Sequence, residues 1–358
     1  MTPFPRPDYD TLVRYHFDRT PVELDLSDNT NQWGAHPAAV EILRGADDDA
    51  LARYPDLYAD GLREAAAARL GVDPACVATG CGSDDVLDSA YRAAGGGEDD
   101  FVSVASPTFS MALPLARMNG MPARTTRWRD ALDDPGRLLA GGPALVYVCR
   151  PNNPTGEVAP TAWVDELLAR AGEDGPLVLL DEAYVDFGGD TFARRATEHP
   201  RLLVTRTLSK AFGLAGLRIG YAVGTPDIAL EVEKSRGPYK VGRLAAAAGA
   251  AALTDAAGWV TATVGECLEN RARAEVLLAE RSLDPVPSHA NFILFRAPSG
   301  DARDDALRIR ERGVAARSFP GDMPDGSDAL RVTVAPWSMM ERFFQALDDV
   351  RASLEVSR

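Results

Sequence analysis

Cysteine and histidine are scarce in this 358-residue chain, four of each, and neither type is grouped. Cys76, Cys81, Cys149 and Cys267 form no Cys-x-x-Cys pair and the histidines stand alone, so neither a zinc centre nor a disulfide framework is expected, and no metal is assigned. No run of about 18 apolar residues is present, which leaves no candidate membrane span. The first residues, Met1-Thr2-Pro3-Phe4-Pro5-Arg6, lack the apolar core of a secretory signal, so a cytoplasmic protein is expected. Positive charge is also in short supply: 38 Lys and Arg stand against 53 Asp and Glu, for a net charge of −15. Without a basic stripe to meet phosphate backbones, a nucleic-acid partner is not expected.

What remains is a long chain with 46% hydrophobic residues, enough for one large core and a smaller second one. Apolar, strand-like runs at 101–105, 145–149, 177–180 and 202–205 alternate with helical stretches, which argues for an α/β fold with a mainly parallel sheet covered by helices. On such sheets ligands collect at the carboxyl ends of the strands. Each run here is followed by polar or aromatic groups: Ser106-Pro107-Thr108-Phe109, Arg150-Pro151-Asn152-Asn153-Pro154-Thr155-Gly156, Asp181-Glu182-Ala183-Tyr184 and Thr207-Leu208-Ser209-Lys210. A carboxylate directly after the buried run 177–180 is costly unless it meets a cation or a donor, so Asp181 requires a partner.

Lys210 carries the sharpest chemistry. A lysine amine becomes a nucleophile and base once it loses its proton, and a crowded, partly desolvated cationic setting lowers its pKa towards that state. Arg218 is the candidate cation, and together with the hydroxyls of Thr207 and Ser209 it offers a cradle for a phosphate dianion. The alternative is a helix start capped by Ser209 with an exposed lysine. A glycine-rich turn at Thr79-Gly80-Cys81-Gly82-Ser83-Asp84 runs into an amphipathic helix with Val86, Leu87, Ala90 and Tyr91 on its apolar side. Its free N–H groups suit an anion, although it is neither a P-loop nor a dinucleotide fingerprint, and an ordinary helix with Asp84 and Asp85 complementing its dipole reads equally well.

Short helices are expected at 41–44 and 61–70, separated by Arg53-Tyr54-Pro55-Asp56. Beyond Tyr221, helices at 244–253 and 260–280 lead to a second unit with strands at 291–295 and 330–334 and a helix at 306–312. The closing helix shows Ser338 three residues before Glu341, the spacing of a capping box. Arg317 and Arg331 lie in strand-like surroundings, where an arginine is ordinarily a solvated edge charge.

Taken in order and spacing, Pro151-Asn152-Asn153-Pro154-Thr155-Gly156, Asp181-Glu182-Ala183-Tyr184 and Thr207-Leu208-Ser209-Lys210-Ala211-Phe212-Gly213-Leu214-Ala215-Gly216-Leu217-Arg218-Ile219-Gly220-Tyr221 resemble the motifs of fold-type-I pyridoxal-phosphate enzymes, and within them the histidinol-phosphate aminotransferase family. The resemblance spans nearly the whole chain. It implies a Schiff base between Lys210 and pyridoxal 5'-phosphate, Asp181 at the pyridine nitrogen, and Asn153 and Tyr184 at the phenolic oxygen. Phosphate contacts would come from backbone N–H groups around Gly82, Ser83 and Asp84 and from Thr207, Ser209 and Arg218, with Tyr54 reaching across from a second subunit of a homodimer. Phe109 stands where the ring-stacking aromatic is commonly a tyrosine. Arg331 would clamp a substrate carboxylate and Arg317 face the far end or phosphate of the substrate, with Asn29 and Tyr239 completing the substrate contacts.

The resemblance further implies an N-terminal arm at 1–35 joining the small domain, a large cofactor-binding domain at 36–245 and a small C-terminal domain at 246–358. The leading reading is transamination between histidinol phosphate and 2-oxoglutarate. The alternatives are an aminotransferase for an aromatic or specialised-pathway amino acid and an enzyme like threonine-phosphate decarboxylase. A non-enzymatic binding protein of this fold is disfavoured by Lys210 and Asp181. The chain departs from the family at Asn29-Thr30-Asn31-Gln32, where Asn-Glu-Asn-Pro is usual, at Lys240 and Gly242, and around Tyr15-His16-Phe17, where an N-terminal Tyr-x-Pro-Gly pattern is not evident.

Overall fold

The structure, a computed structural model, describes residue 4, residue 9 and residues 12–14 and 20–356. The stretch around Tyr15-His16-Phe17 lies outside the described residues. In chain order the strands are β1 (Leu24–Asp25), β2 (Val77–Cys81), β3 (Val102–Ser106), β4 (Ala123–Arg127), β5 (Leu145–Cys149), β6 (Leu177–Asp181), β7 (Leu202–Thr207), β8 (Ile219–Val223), β9 (Phe292–Arg296), β10 (Val314–Ala315), β11 (Arg317–Phe319) and β12 (Ala329–Thr333).

Seven of them form one sheet in the order β2-β8-β7-β6-β5-β3-β4. It is parallel from β4 to β7, and β8 runs antiparallel to both β7 and β2. The central strands are buried on both faces, as their unbroken apolar runs require. Side chains alternate between two cores: Val146, Val148 and Leu180 face one, while Leu145, Tyr147, Cys149 and Leu179 face the other. Two strands extend past the last apolar residue. Asp181 pairs in register with Cys149 and Thr205, and Thr207 with Gly220, because backbone ladders form regardless of side-chain polarity.

A three-stranded antiparallel sheet, β11-β12-β9, forms the second unit, and β10 pairs in parallel with β1. The N-terminal segment is therefore tied to residues almost three hundred positions later: Leu24 pairs with Val314, and Thr333 N donates to Leu26 O at 2.8 Å.

Helices appear where the sequence places them, with shifted ends. The helix expected at 61–70 is Asp60–Leu70, closed by Gly71 in the left-handed region. The one expected at 306–312 is Ala302–Glu311, started earlier by the Asp301 carboxylate accepting from Arg303 N and Asp304 N. The expected capping box does not form. The closing helix begins at Trp337, so Ser338 is already inside it, and Glu341 instead accepts from Trp337 Nε1 at 2.9 Å. Among the described residues no helix is long and apolar enough to cross a membrane, and no cluster of metal-ligating side chains is present.

Candidate active site

The carboxyl ends of β3, β5, β6 and β7 and the start of β8 meet at a cavity of about 580 Å³, roofed by the 28–30 segment and by β11 and β12. Its floor is anchored by Lys210. After β7 the chain turns back tightly: Thr207 Oγ1 accepts from Ser209 N at 3.1 Å and lies 3.0 Å from Ser209 Oγ, while Gly213 N donates to Lys210 O at 3.1 Å. This is a loop, and no helix starts at Ser209. Lys210 Nζ donates to Asp28 O at 3.2 Å and stands 5.7 Å from the centre of the Tyr184 ring. Burial lowers its pKa from 10.5 to about 8, opposed by Asp28 and Asp84 and assisted by Arg331 and then Arg218. The cationic setting expected from Arg218 is thus secondary: desolvation leads, and Arg331 outranks Arg218 because Arg218 is half-exposed.

Asp181, at the end of β6, is buried and meets no cation. Its Oδ2 accepts from Tyr147 OH at 2.8 Å, and its Oδ1 from Ala183 N at 3.2 Å and Thr205 Oγ1 at 3.3 Å. Burial raises its pKa to about 6, against the pull of the Tyr147 hydrogen bond and with a further push from Asp84. The partner that the sequence demanded is a set of neutral donors. In the sequence Tyr147 and Thr205 are parts of apolar runs; the signal for Tyr147 is strand parity, since it shares its face of β5 with Cys149, which pairs directly with Asp181.

Tyr184 lies in the loop after β6, its ring edge-on to Phe292 at 5.1 Å. Its hydroxyl accepts from Asn29 Nδ2 at 3.0 Å and from Asn153 Nδ2 at 3.3 Å. With both lone pairs taken, the phenolic proton is left to donate into the cavity. Asn153 Oδ1 accepts from Arg331 Nη1 at 2.5 Å, and Arg331 Nη2 donates to Ser27 O at 2.7 Å. Asn29 N donates to Thr333 Oγ1 at 3.0 Å. Arg331 lies between two rings, 5.1 Å from Phe292 and 5.0 Å from Phe319, and pairs across the strands with Arg317, which also lines the cavity. Like charges placed opposite on neighbouring strands repel, so the pair favours an anion between them.

At the other end, Ser83 and Asp84 open the helix Gly82–Ala94, whose first turn has no side-chain cap. Gly82 sits at φ +80°, and a Cβ there would come within 2.5 Å of Arg218 Nη2, so glycine lets that guanidinium close over the helix start. Arg218 Nη2 pairs with Asp84 Oδ2 at 3.2 Å. Thr207, Ser209 and Phe109 complete this end. Thr30 lines the cavity mouth, and Gln32 Nε2 donates to Asp25 O at 3.0 Å and Thr30 Oγ1 at 3.1 Å, holding the loop with a side-chain amide. Tyr54 and Tyr239 are not brought to the cavity. They are 78% and 42% exposed and pack on each other with ring centres 4.9 Å apart.

The class I and II aminotransferase family matches residues 21–347. A histidinol-phosphate aminotransferase of Acetobacter pasteurianus is 35% identical, over 92% of this chain and 92% of its own length. One of Aromatoleum aromaticum is 36% identical over 91% and 92%. Among solved structures, histidinol-phosphate aminotransferase of Sinorhizobium meliloti in complex with pyridoxal-5'-phosphate is 27% identical, with a TM-score of 0.84 and 97% of both chains covered. The architecture is that of fold-type-I aminotransferases, as expected from the loops at the sheet edge. On sequence, fold and the disposition of the sheet-edge residues, the chain belongs to the class I and II aminotransferases and, within them, to the histidinol-phosphate aminotransferase family.

Proposed function

We propose that this chain uses pyridoxal phosphate to move an amino group from histidinol phosphate to 2-oxoglutarate. The residues fit the cofactor. A lysine with a depressed pKa, a buried carboxylate without a cation, a phenol with a directed proton and an uncapped helix start beside Arg218 surround one cavity. Asp181 would hold the ring nitrogen, Tyr184 and the second amide hydrogen of Asn153 the phenolic oxygen, and Phe109 the ring face. Ser83, Asp84, Thr207, Ser209 and Arg218 would hold the phosphate. When bound, pyridoxal phosphate supplies an aldehyde carbon that exchanges amines and a ring that accepts an electron pair.

Lys210 supplies the base. With a pKa of about 8 it is neutral in about a tenth of molecules at pH 7, enough for Nζ to take and return a proton. The Asp28 carbonyl orients it and the Tyr184 ring shields it. Arg331 and Arg317 would receive the anionic groups, the phosphate of the donor and the carboxylates of the acceptor, with Asn29 fixing Tyr184. The observation that carries the substrate choice is this pair of facing arginines in the cavity that holds Lys210, in a chain about 35% identical to histidinol-phosphate aminotransferases. The experiment is steady-state kinetics on histidinol phosphate, histidinol, phenylalanine and tyrosine. Equal kcat/KM with and without the phosphate would remove the assigned donor.

The large domain at 36–245, the small domain at 246–358 and the arm at 1–35 form the working unit in this reading, in the cytoplasm. The exposed Tyr54 and Tyr239 support a homodimer in which Tyr54 reaches the partner's cavity. Light scattering that found a fully active monomer would refute it.

A further inference from the structure

Asp181 Oδ1 collects two donors, whereas Oδ2 has Tyr147 alone. Both Tyr147 and Asp181 are buried, and they lie diagonally across β5 and β6, since Tyr147 pairs with Leu179 and Cys149 with Asp181. A second phenol in the same core, Tyr91, has its ring centre 6.5 Å from that of Tyr147, is equally buried, and its hydroxyl has no hydrogen-bond partner. This core therefore tolerates an unbonded phenol, so the Tyr147 contact is not merely a buried hydroxyl finding relief. We propose that Tyr147 is a positioning residue for the reaction: through its one hydrogen bond to Oδ2 it fixes the Asp181 carboxylate and sets how readily that carboxylate takes a proton. The proposal rests on the reading of Asp181 as the partner of the cofactor's ring nitrogen.

The other groups facing Asp181 are Cys149 on β5, Thr205 on β7, Tyr184 on its own segment, and Asp84 and Tyr91 on the helix Gly82–Ala94. None is a cation within hydrogen-bonding reach. An arginine or lysine in place of Tyr147 would hold the carboxylate far more firmly in its charged form and weaken it as an acceptor. A neutral phenol orients it and leaves its proton affinity high, in keeping with a pKa raised by burial and only partly drawn back by this bond.

The test uses cofactor-free protein carrying 13C-carboxyl aspartate, with the Asp181 resonance identified by its loss in Asp181→Asn. Tyr147→Phe should raise the Asp181 midpoint by about one pH unit, the scale of one buried hydrogen bond. Tyr91→Phe, which removes a phenol that Asp181 does not touch, should leave it unchanged. Fluorotyrosine at position 147, a stronger donor of nearly the same shape, should lower it. An unmoved midpoint in Tyr147→Phe, or an equal shift in Tyr91→Phe, overturns the proposal. If the phenylalanine variant does not fold, the fluorotyrosine arm decides, and no downward shift overturns it. Turnover of the holoenzyme measured in parallel separates the two layers: if Asp181→Asn turns over as fast as the parent, the reading of Asp181 falls, and Tyr147's role in the reaction with it, even where the two side chains remain coupled.

Discussion

The floor and the roof of the cavity are built by different means. Floor groups sit at the ends of strands of the seven-stranded sheet or a few residues beyond them: Asp181 ends β6, and Lys210 and Asn153 follow β7 and β5 closely. Their positions are set by ladders of short-range pairing, such as Cys149 with Asp181 and Asp181 with Thr205. Roof groups come from opposite ends of the chain: short backbone pairings bring the N-terminal segment to β10 and β12, and side chains then lock the contact, Arg331 on Ser27 O, Asn29 on Thr333, Asn291 Nδ2 on Asn29 O at 3.1 Å. A rigid floor suits chemistry that every substrate shares, while a roof assembled from side chains suits choosing among substrates.

That contrast predicts that floor variants damage all substrates alike and roof variants damage them selectively. Lys210→Ala should have the largest effect, a loss of about 10⁴-fold or more with every donor. Borohydride reduction followed by peptide mapping should find cofactor on Lys210 and on neither Lys234 nor Lys240, the only other lysines of the chain. Attachment at either of those would move the active site elsewhere. Asp181→Asn should fold normally and lose about a hundredfold, or about 3 kcal/mol, in kcat for donor and acceptor half-reactions equally. Near-parental turnover would end its assignment.

Arg331→Ala removes a guanidinium that also holds Asn153 and Ser27. It should reduce kcat/KM for 2-oxoglutarate by about tenfold to a hundredfold. Arg317→Ala should cost several-fold, about 1 kcal/mol, on a phosphorylated donor and little on phenylalanine; a uniform loss would erase the distinction between floor and roof. The smallest effect is in pH. A lysine pKa lowered from 10.5 to about 8 means the neutral amine dominates above about pH 8, so the rate at which cofactor-free protein captures an aldehyde should rise with pH, reach half its maximum near pH 8 and level off about one unit higher. A rise continuing towards 10.5 would show that the amine is solvated.

The floor was legible in the sequence because each of its residues ends an apolar run or lies in the short loop just after one, and a polar side chain at that point has few places to go except the sheet edge. Lys210, Asp181, Asn153 and Tyr184 all follow that rule. Tyr147 did not announce itself, since a tyrosine within Leu-Val-Tyr-Val-Cys reads as core until the parity of the strand is laid against β6. The facing of Arg317 and Arg331 needed a register that nothing local dictates, and Gln32's hold on the Asp25 carbonyl depends on the fold of the 25–32 loop. The cationic influence on Lys210 is hidden from the sequence for the same reason: Arg218 is near in sequence, but Arg331, from the far end of the chain, exerts the stronger effect.

One circuit of hydrogen bonds joins the two halves. From β12, Arg331 reaches Asn153, Asn153 reaches Tyr184, Asn29 reaches Tyr184 as well, and the Asn29 backbone returns to Thr333 on β12. The ring is closed, so it behaves as a mechanical linkage: slack introduced at one joint is shared by the others. An anion that draws the Arg331 guanidinium off Asn153 frees a carbonyl, lets the Asn153 amide turn, and thereby changes how firmly the Tyr184 oxygen is held. An anion on the roof would in this way reach the floor through Asn153.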